Sequence, residues 1–178
     1  MNYKIIDNFL SNEEMQNIYN VMFRNAFPWY FVNDAVPSNE DTSVKENPIF
    51  CHYFLKSGCP YDNGEFEFPP PSHFSYILKP LIKKMQIKSL LRIQANYYPR
   101  TTNIIEHGYH SDFPFEVNNC KTAIFYLNSC NGYTKLKENQ KVASVGNRLL
   151  IFDSDTLHTS STCTDKSFRA VINVNYLI

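Results

Sequence analysis

His110 and Asp112 stand two positions apart in HGYHSD, residues 107–112. On extended backbone such side chains point to the same face, so an imidazole and a carboxylate at this spacing can bind one cation. A third ligand has to come from farther along. His158, in DSDTLHTSS directly after the strand-like NRLLIF, is placed for it. Two imidazoles and one carboxylate on one side of a metal leave its other positions open, an arrangement that suits iron(II). Arg169 follows on a segment that reads as an interior strand. A guanidinium is costly to bury without an anion, and its fork of donors matches a carboxylate. Plainer roles stay open at each position. His110 could cap a turn, Asp112 could start the Phe113-Pro114 turn, and Arg169 could pair with Asp153 or Asp155.

The elements that have to position these residues can be read from periodicity. YKIID reads as a strand. Ser11 followed by Glu14 forms a capping box that opens an amphipathic helix through Met15, Ile18 and Met22. From Phe27 to Phe54, aromatic and β-branched residues broken at Pro37 and Pro48 predict short strands joined by a long loop. SGCPYDNGEFEFPPPS, from Ser57, reads as irregular, and HFSYILKPLIKKM as helical with Pro80 as a kink or a second start. From Ser89 onward come LLRIQANYY, TAIFYLN, YTKLK, KVAS, NRLLIF, LHTSS and FRAVINVNYL, with Asn131-Gly132 as a hairpin turn. Helices first and about seven strands afterwards predict a β-sandwich or jelly roll with helices packed on one sheet.

Two of these strands alternate informatively. Arg92, Gln94, Asn96 and Tyr98 share one face, opposite Leu91, Ile93, Ala95 and Tyr97. Arg169, Val171, Asn173 and Asn175 oppose Phe168, Ala170, Ile172, Val174 and Tyr176. The polar faces either meet water or line a cavity, in which case the apolar faces meet the helices.

A chain of 178 residues fits one domain that needs no metal merely to fold, so a bound metal is expected to be functional. Residues 1–88 form its N-terminal support and residues 89–178 its core. Lys plus Arg equals Asp plus Glu at 17 each, without a basic run, which lowers nucleic acid as a partner. The opening MNYKIIDNFLSNEE has no signal-peptide pattern, and no apolar stretch reaches membrane-span length, so a soluble cytoplasmic protein is expected. Five cysteines without a C-x-x-C argue against a disulfide framework and a cysteine zinc site. Reduced thiols are expected, and strand length keeps Cys120 and Cys130 apart.

The order His110-x-Asp112, TAIFYLN, NRLLIFDSD, His158 and Arg169 resembles the 2-oxoglutarate and iron(II)-dependent dioxygenases, most closely the prolyl-hydroxylase-like branch. The likeness runs from about Leu90 to Tyr176, and YKIIDNFLSNEE resembles the strand and helix with which that branch begins. Taken whole, the chain resembles the small stand-alone oxygenases of tailed bacteriophages, which would place it in a host cytoplasm. The resemblance implies a double-stranded β-helix, a cupin-like jelly roll. It also implies Fe(II) held by His110, Asp112 and His158, the C5 carboxylate of 2-oxoglutarate held by Arg169 and Tyr126, and Tyr98 lining the cosubstrate pocket. The reaction implied uses O2 to hydroxylate a C–H bond of a peptide or protein side chain such as proline, or of a small molecule, giving succinate and CO2. RTTNIIEHGY replaces the family's glycine-rich turn, so substrate access is expected to differ.

Arg92 and Gln94 are candidates for the substrate end. His107 is a candidate substrate contact, or a solvated loop residue. His52 and His73 have no partner pattern, and the run Trp29-Tyr30-Phe31 reads as core. Two other functions compete. Oxidative demethylases of nucleic-acid bases share the triad but carry a second arginine six residues after the first, where this chain has Asn175. A non-catalytic jelly-roll metal-binding module would have no need of Arg169.

Overall fold

The computed structural model describes residues 3–33, 48–56, 59–60, 66–67, 71–112 and 119–178. Its N-terminal part follows local signals. Strand β1 (Tyr3–Ile6) leads into helix α1 (Asn12–Met22). The expected capping box is present. Ser11 Oγ accepts from the Glu14 amide at 3.2 Å, and the Glu14 carboxylate accepts from the Ser11 amide at 3.0 Å. Two donors near the helix start are thereby satisfied. Strands β2 (Tyr30–Val32) and β3 (Ile49–Lys56) follow, with Pro48 directly before β3 and Pro37 outside the described residues.

The stretch from Ser57, read as irregular, contains a short antiparallel pair, β4 (Cys59–Pro60) with β5 (Phe66–Glu67). His73–Leu78 is a 3-10 helix, and α2 (Lys79–Met85) begins anew with Pro80 in its first turn. Pro80 therefore starts a second helix, at a place where its missing N–H leaves nothing unpaired.

The second half holds β6 (Ser89–Pro99), β7 (Cys120–Tyr126), β8 (Tyr133–Leu136), β9 (Gln140–Ala143), β10 (Leu149–Asp153), β11 (His158–Ser160) and β12 (Phe168–Leu177). A seven-stranded sheet runs β1-β10-β7-β12-β6-β3-β2, and a three-stranded sheet runs β11-β8-β9. Residues 105–110 lie antiparallel along β11 and extend the smaller sheet. The Thr162 amide donates to Ile105 O at 3.0 Å, and the His107 amide donates to Ser160 O at 2.9 Å. The result is the expected jelly-roll core. Asn131-Gly132 is not a hairpin turn, because β7 and β8 belong to different sheets and the dipeptide carries the chain between them. The β8–β9 hairpin instead turns through Lys137–Asn139, with Asn139 at φ 65°.

Alternation along the large sheet divides the interior into two layers. Ile93, Ala95, Ala170, Ile172, Val174 and Tyr176 pack with Ile18 and Met22 of α1, Leu81 of α2, and Phe54 and Ile77. On the opposite face Ile49, Tyr98, Ile124, Tyr126, Phe152 and Val171 meet Leu136 and Val142 of the smaller sheet. A register shift between Asn175 and Tyr176 pairs Tyr176 with Leu90, so Leu90 rather than Leu91 joins the helix-side layer. Trp29 packs on Phe23, Phe27 and Tyr97 as expected of a core residue. Tyr30 and Phe31 depart from that expectation at 60% and 59% exposed, because β2 is the sheet's edge.

Asn147 docks the N-terminal segment. Buried and at φ 64°, it accepts from the Leu10 amide and donates to Leu10 O, both at 2.8 Å. Asn147→Ala loses both bonds and strains the backbone, whereas Asn147→Gly loses the bonds alone. The Ala variant is expected to lose about 2–4 kcal/mol and the Gly variant less, read from urea unfolding midpoints. Equal losses would mean that the left-handed backbone contributes nothing.

Candidate metal centre

The backbone brings His110 and His158 face to face. The His110 amide donates to His158 O at 3.0 Å and the His158 amide returns a bond to His110 O at 2.8 Å. Their ring centroids lie 4.4 Å apart. Ligand atoms of His110, Asp112 and His158 all fall within 4.8 Å of one another. His158 Nδ1 lies 3.0 Å from Thr156 O, and since a carbonyl only accepts, Nδ1 carries a proton and Nε2 is the nitrogen left for a metal. His110 Nδ1 makes a longer approach, 3.4 Å, to Gly108 O. Burial and the neighbouring His158 lower the His110 pKa to about 4, so its ring is neutral and able to ligate at pH 7.

Asp112 is gripped by one row of the large sheet. Asn175 pairs with Arg92 on one side and with Thr122 on the other, so the three side chains stand abreast on the cavity face. Arg92 Nη2 donates to Asp112 Oδ1 at 2.5 Å, while Thr122 Oγ1 at 2.8 Å and Asn175 Nδ2 at 3.0 Å donate to Oδ2. Arg92 Nε also donates to Asn175 Oδ1 at 2.8 Å, which closes the network. Burial by itself would raise the Asp112 pKa. The Arg92 charge, His158 and the two neutral donors outweigh it and hold the carboxyl at about 2. Asp112 is thus an oriented anion, and the Phe113-Pro114 turn lies outside the described residues.

Arg169 is fully buried. Among the described residues no carboxylate pairs with it. Asp153, one of its possible partners, pairs with Lys121. Nη2 donates to Thr134 Oγ1 at 3.0 Å, Nη1 reaches Ser161 O at 3.5 Å, and Nε has no partner. The guanidinium lies over Tyr98 and Tyr126, 5.2 and 5.6 Å from their ring centroids. Its stem passes Gly132, where a Cβ would come within 2.7 Å of Arg169 Cδ and 2.6 Å of Thr162 O, so only glycine fits. One cavity joins this arginine to His110 and His158. Asn96, Tyr98, Ile124, Thr134, Ser160, Val171 and Asn173 line it together with His110, His158 and Arg169. Asn173 Oδ1 is a second buried polar atom without a partner there.

The structure therefore gathers His110, His158, Arg169 and Tyr98 around one space, with Asp112 beside the two histidines. Tyr126 is adjacent but gives its hydroxyl hydrogen to Thr134 Oγ1 at 2.8 Å, so Thr134 is the lining group and Tyr126 stands behind it. Arg92 lies against the Asp112 carboxylate. Gln94 donates to Asn96 Oδ1 at 2.9 Å and pairs across the sheet with half-exposed Tyr53. His107 is buried rather than solvated. Its ring bonds Ser160 O at 3.0 Å and packs 5.2 Å from Tyr98, which leaves Nε2 unpaired. His52 is also buried, between Pro28 O and Ser72 Oγ at 2.8 Å each. Sequence reasoning missed Thr122 and Thr134. Their places on alternating strands were visible, but neither type stands out from ordinary strand threonine.

No protein-family model matches the sequence, and no curated protein is significantly similar to it. The fold does have solved counterparts. A 2OG-Fe(II) oxygenase family oxidoreductase from Burkholderia pseudomallei superposes with TM-score 0.69 at 11% identity, over 98% of this chain and 84% of that one. A prolyl hydroxylase from Trichoplax adhaerens, solved with a hypoxia inducible factor peptide fragment, gives 0.63 at 19%, over 98% and 83%. A Pseudomonas putida prolyl-4-hydroxylase gives 0.61 at 10%, over 99% and 92%. The chain is similar to these enzymes in fold along almost its whole length.

Two outcomes are expected. Asn175→Ala removes a donor from Asp112, so Co(II) affinity measured by calorimetry should fall about tenfold or more; an unchanged affinity would show that the row does not orient the ligand. In metal-free protein the lowered His110 pKa means that the unfolded chain takes up a proton between pH 6.5 and about 4 that the folded protein refuses. Stability therefore falls as pH drops through that window, with buried His52 and His107 acting in the same direction. The contribution of Asp112, whose pKa is lowered, is lost only from about pH 4 towards 2. Urea midpoints in EDTA should show this fall, and His110→Gln should reduce it.

Proposed function

We propose that this protein is a 2-oxoglutarate- and iron(II)-dependent dioxygenase that hydroxylates a C–H bond. The observation that carries this reading is Arg169, a fully buried guanidinium with an unpaired Nε, in the same cavity as the two histidines of a two-histidine, one-aspartate cluster. An uncompensated buried charge costs several kcal/mol, so a site that keeps one is built for an anion. The donor set fits the metal. Two imidazoles and one carboxylate suit iron(II) and leave positions open for a chelating ligand. When bound, iron(II) with 2-oxoglutarate supplies O2 activation coupled to oxidative decarboxylation, with succinate and CO2 as coproducts.

The chain's residues supply position and shelter. Arg169 and Thr134 would take the far carboxylate, with Tyr126 fixing the Thr134 hydroxyl. Tyr98 covers the guanidinium. Ile124, Val171 and the Phe152 ring, 4.9 Å from His158, shield the metal side from water. Asn96 and Asn173 offer polar groups towards the reacting end. A peptide or protein side chain such as proline is the substrate class proposed, supported by fold likeness to prolyl hydroxylases, one of them solved with its peptide.

The test is anaerobic. Iron(II)-loaded protein should develop the visible metal-to-ligand charge-transfer band on addition of 2-oxoglutarate. Arg169→Met should weaken that affinity by about thirtyfold or more. The same variant should leave the ligand-free protein no less stable, since it removes an unpaired buried charge. A folded, iron-loaded protein without the band would overturn the assignment.

A further inference from the structure

Away from the cavity, a second group of metal-ligating side chains is assembled by two loops that are distant in sequence. Cys130 and Cys163 carry no recognisable spacing, and the cysteine pattern argued against a metal site. The fold nevertheless brings Cys130 Sγ, Cys163 Sγ and an Asp165 carboxylate oxygen within 4.8 Å of one another.

The scaffold around them is closed. The Asn131 amide donates to Asp165 Oδ1 at 2.9 Å, Asn131 Nδ2 donates to Thr164 Oγ1 at 2.7 Å, and the Thr164 amide returns a bond to Asn131 Oδ1 at 2.9 Å. The Cys130 amide is tied to Ser144 O and Cys163 O to the Thr101 amide, both at 3.1 Å. Cys163 is buried, Cys130 is half-buried and Asp165 is exposed, so the cluster opens to solvent on one side. Cys163 Sγ donates to Lys166 O at 3.5 Å and lies against the Cys130 thiol.

We propose that Cys130, Cys163 and Asp165 form a second metal site for a thiophilic divalent cation of the zinc class, with solvent completing a tetrahedral set. Two sulfurs and one carboxylate favour such an ion, whereas the two-imidazole, one-carboxylate set in the cavity favours iron. A thiol gives up its proton when it ligates, so affinity for the cation rises with pH. The ion would clamp the loop after β7 to the loop before β12. That clamp lies against the wall of the cavity. A Cβ at Gly132 would stand 3.4 Å from Cys130 Sγ as well as against Thr162 O and Arg169 Cδ. The site thus secures the backbone beside the arginine stem, and its existence does not depend on the proposed activity.

Reduced, EDTA-stripped full-length protein is titrated with Co(II), followed by Zn(II) in competition with a chromophoric chelator. A sulfur-to-cobalt charge-transfer band in the near ultraviolet is expected in wild type and in His158→Ala, which disables the triad. The band should be absent in Cys130→Ser, and Asp165→Asn should bind about tenfold more weakly. Zn(II) should raise the melting temperature of His158→Ala but not of Cys130→Ser/His158→Ala. Cys130 is half-buried, so its variant tests the site even if Cys163→Ser fails to fold. Folded, reduced protein that shows cobalt bound by nitrogen and oxygen alone would overturn the proposal. So would thiols that hold no metal and close to a disulfide under peroxide, with loss of two hydrogens in mass.

Discussion

A permanent positive charge with no anion beside it among the described residues is the constraint around which this molecule is arranged. Arg169 sits where the two sheets meet and is wholly shielded from water. Two tyrosine faces, the Thr134 hydroxyl and the Ser161 carbonyl ease its burial without neutralising it. Such a charge costs several kcal/mol, whereas a well-buried aliphatic or aromatic side chain contributes about 1.5–3 kcal/mol. A handful of core residues offset one such arginine. The helix-side layer, with Ile18, Met22, Phe54, Leu81 and Ile172 among its members, supplies more than that.

This division of labour explains why the helices are present. Helices α1 and α2 cover one face of the large sheet and make it a conventional apolar core. The opposite face is thereby released from having to stabilise the fold by itself. It carries Arg92, Asn96, Arg169, Asn173 and Asn175, polar groups that an ordinary sandwich would turn outward. Register keeps the faces distinct, since a one-residue slip would exchange them. The shift at Asn175 and Tyr176 adjusts the far end of β12 and β6 while leaving the Arg92–Asn175–Thr122 row intact.

That row gives the Asp112 carboxylate an unusual setting for a candidate metal ligand. Both its oxygens accept strong donors, one of them charged, so its position and its negative charge are maintained without a cation. The same contacts draw electron density from the carboxylate, which makes it a well-placed but weaker donor to a metal than a free aspartate. Asn175 is the pivot, fully buried and bonded to three side chains. An arginine at this position would have to displace Arg92 or leave another charge unpaired.

Much of this could be read directly from the chain. Capping residues, strand periodicity and the two-residue spacing of His110 and Asp112 are local, because they follow from backbone hydrogen bonding and the alternation of side chains. Those signals sufficed for the helices-then-strands order, the polar and apolar faces of β6 and β12, and a triad with an arginine. Other features have no local code. Leu90 replaced Leu91 through a register shift, Asn131-Gly132 joined two sheets instead of turning a hairpin, and His107 was buried by pairing with Ser160. Thr122, Thr134 and the Cys130–Cys163 pair acquire their roles only from partners brought close by strand register. Tertiary structure decided these because cross-strand neighbours are selected by the packing of whole sheets, a choice that no short segment makes alone.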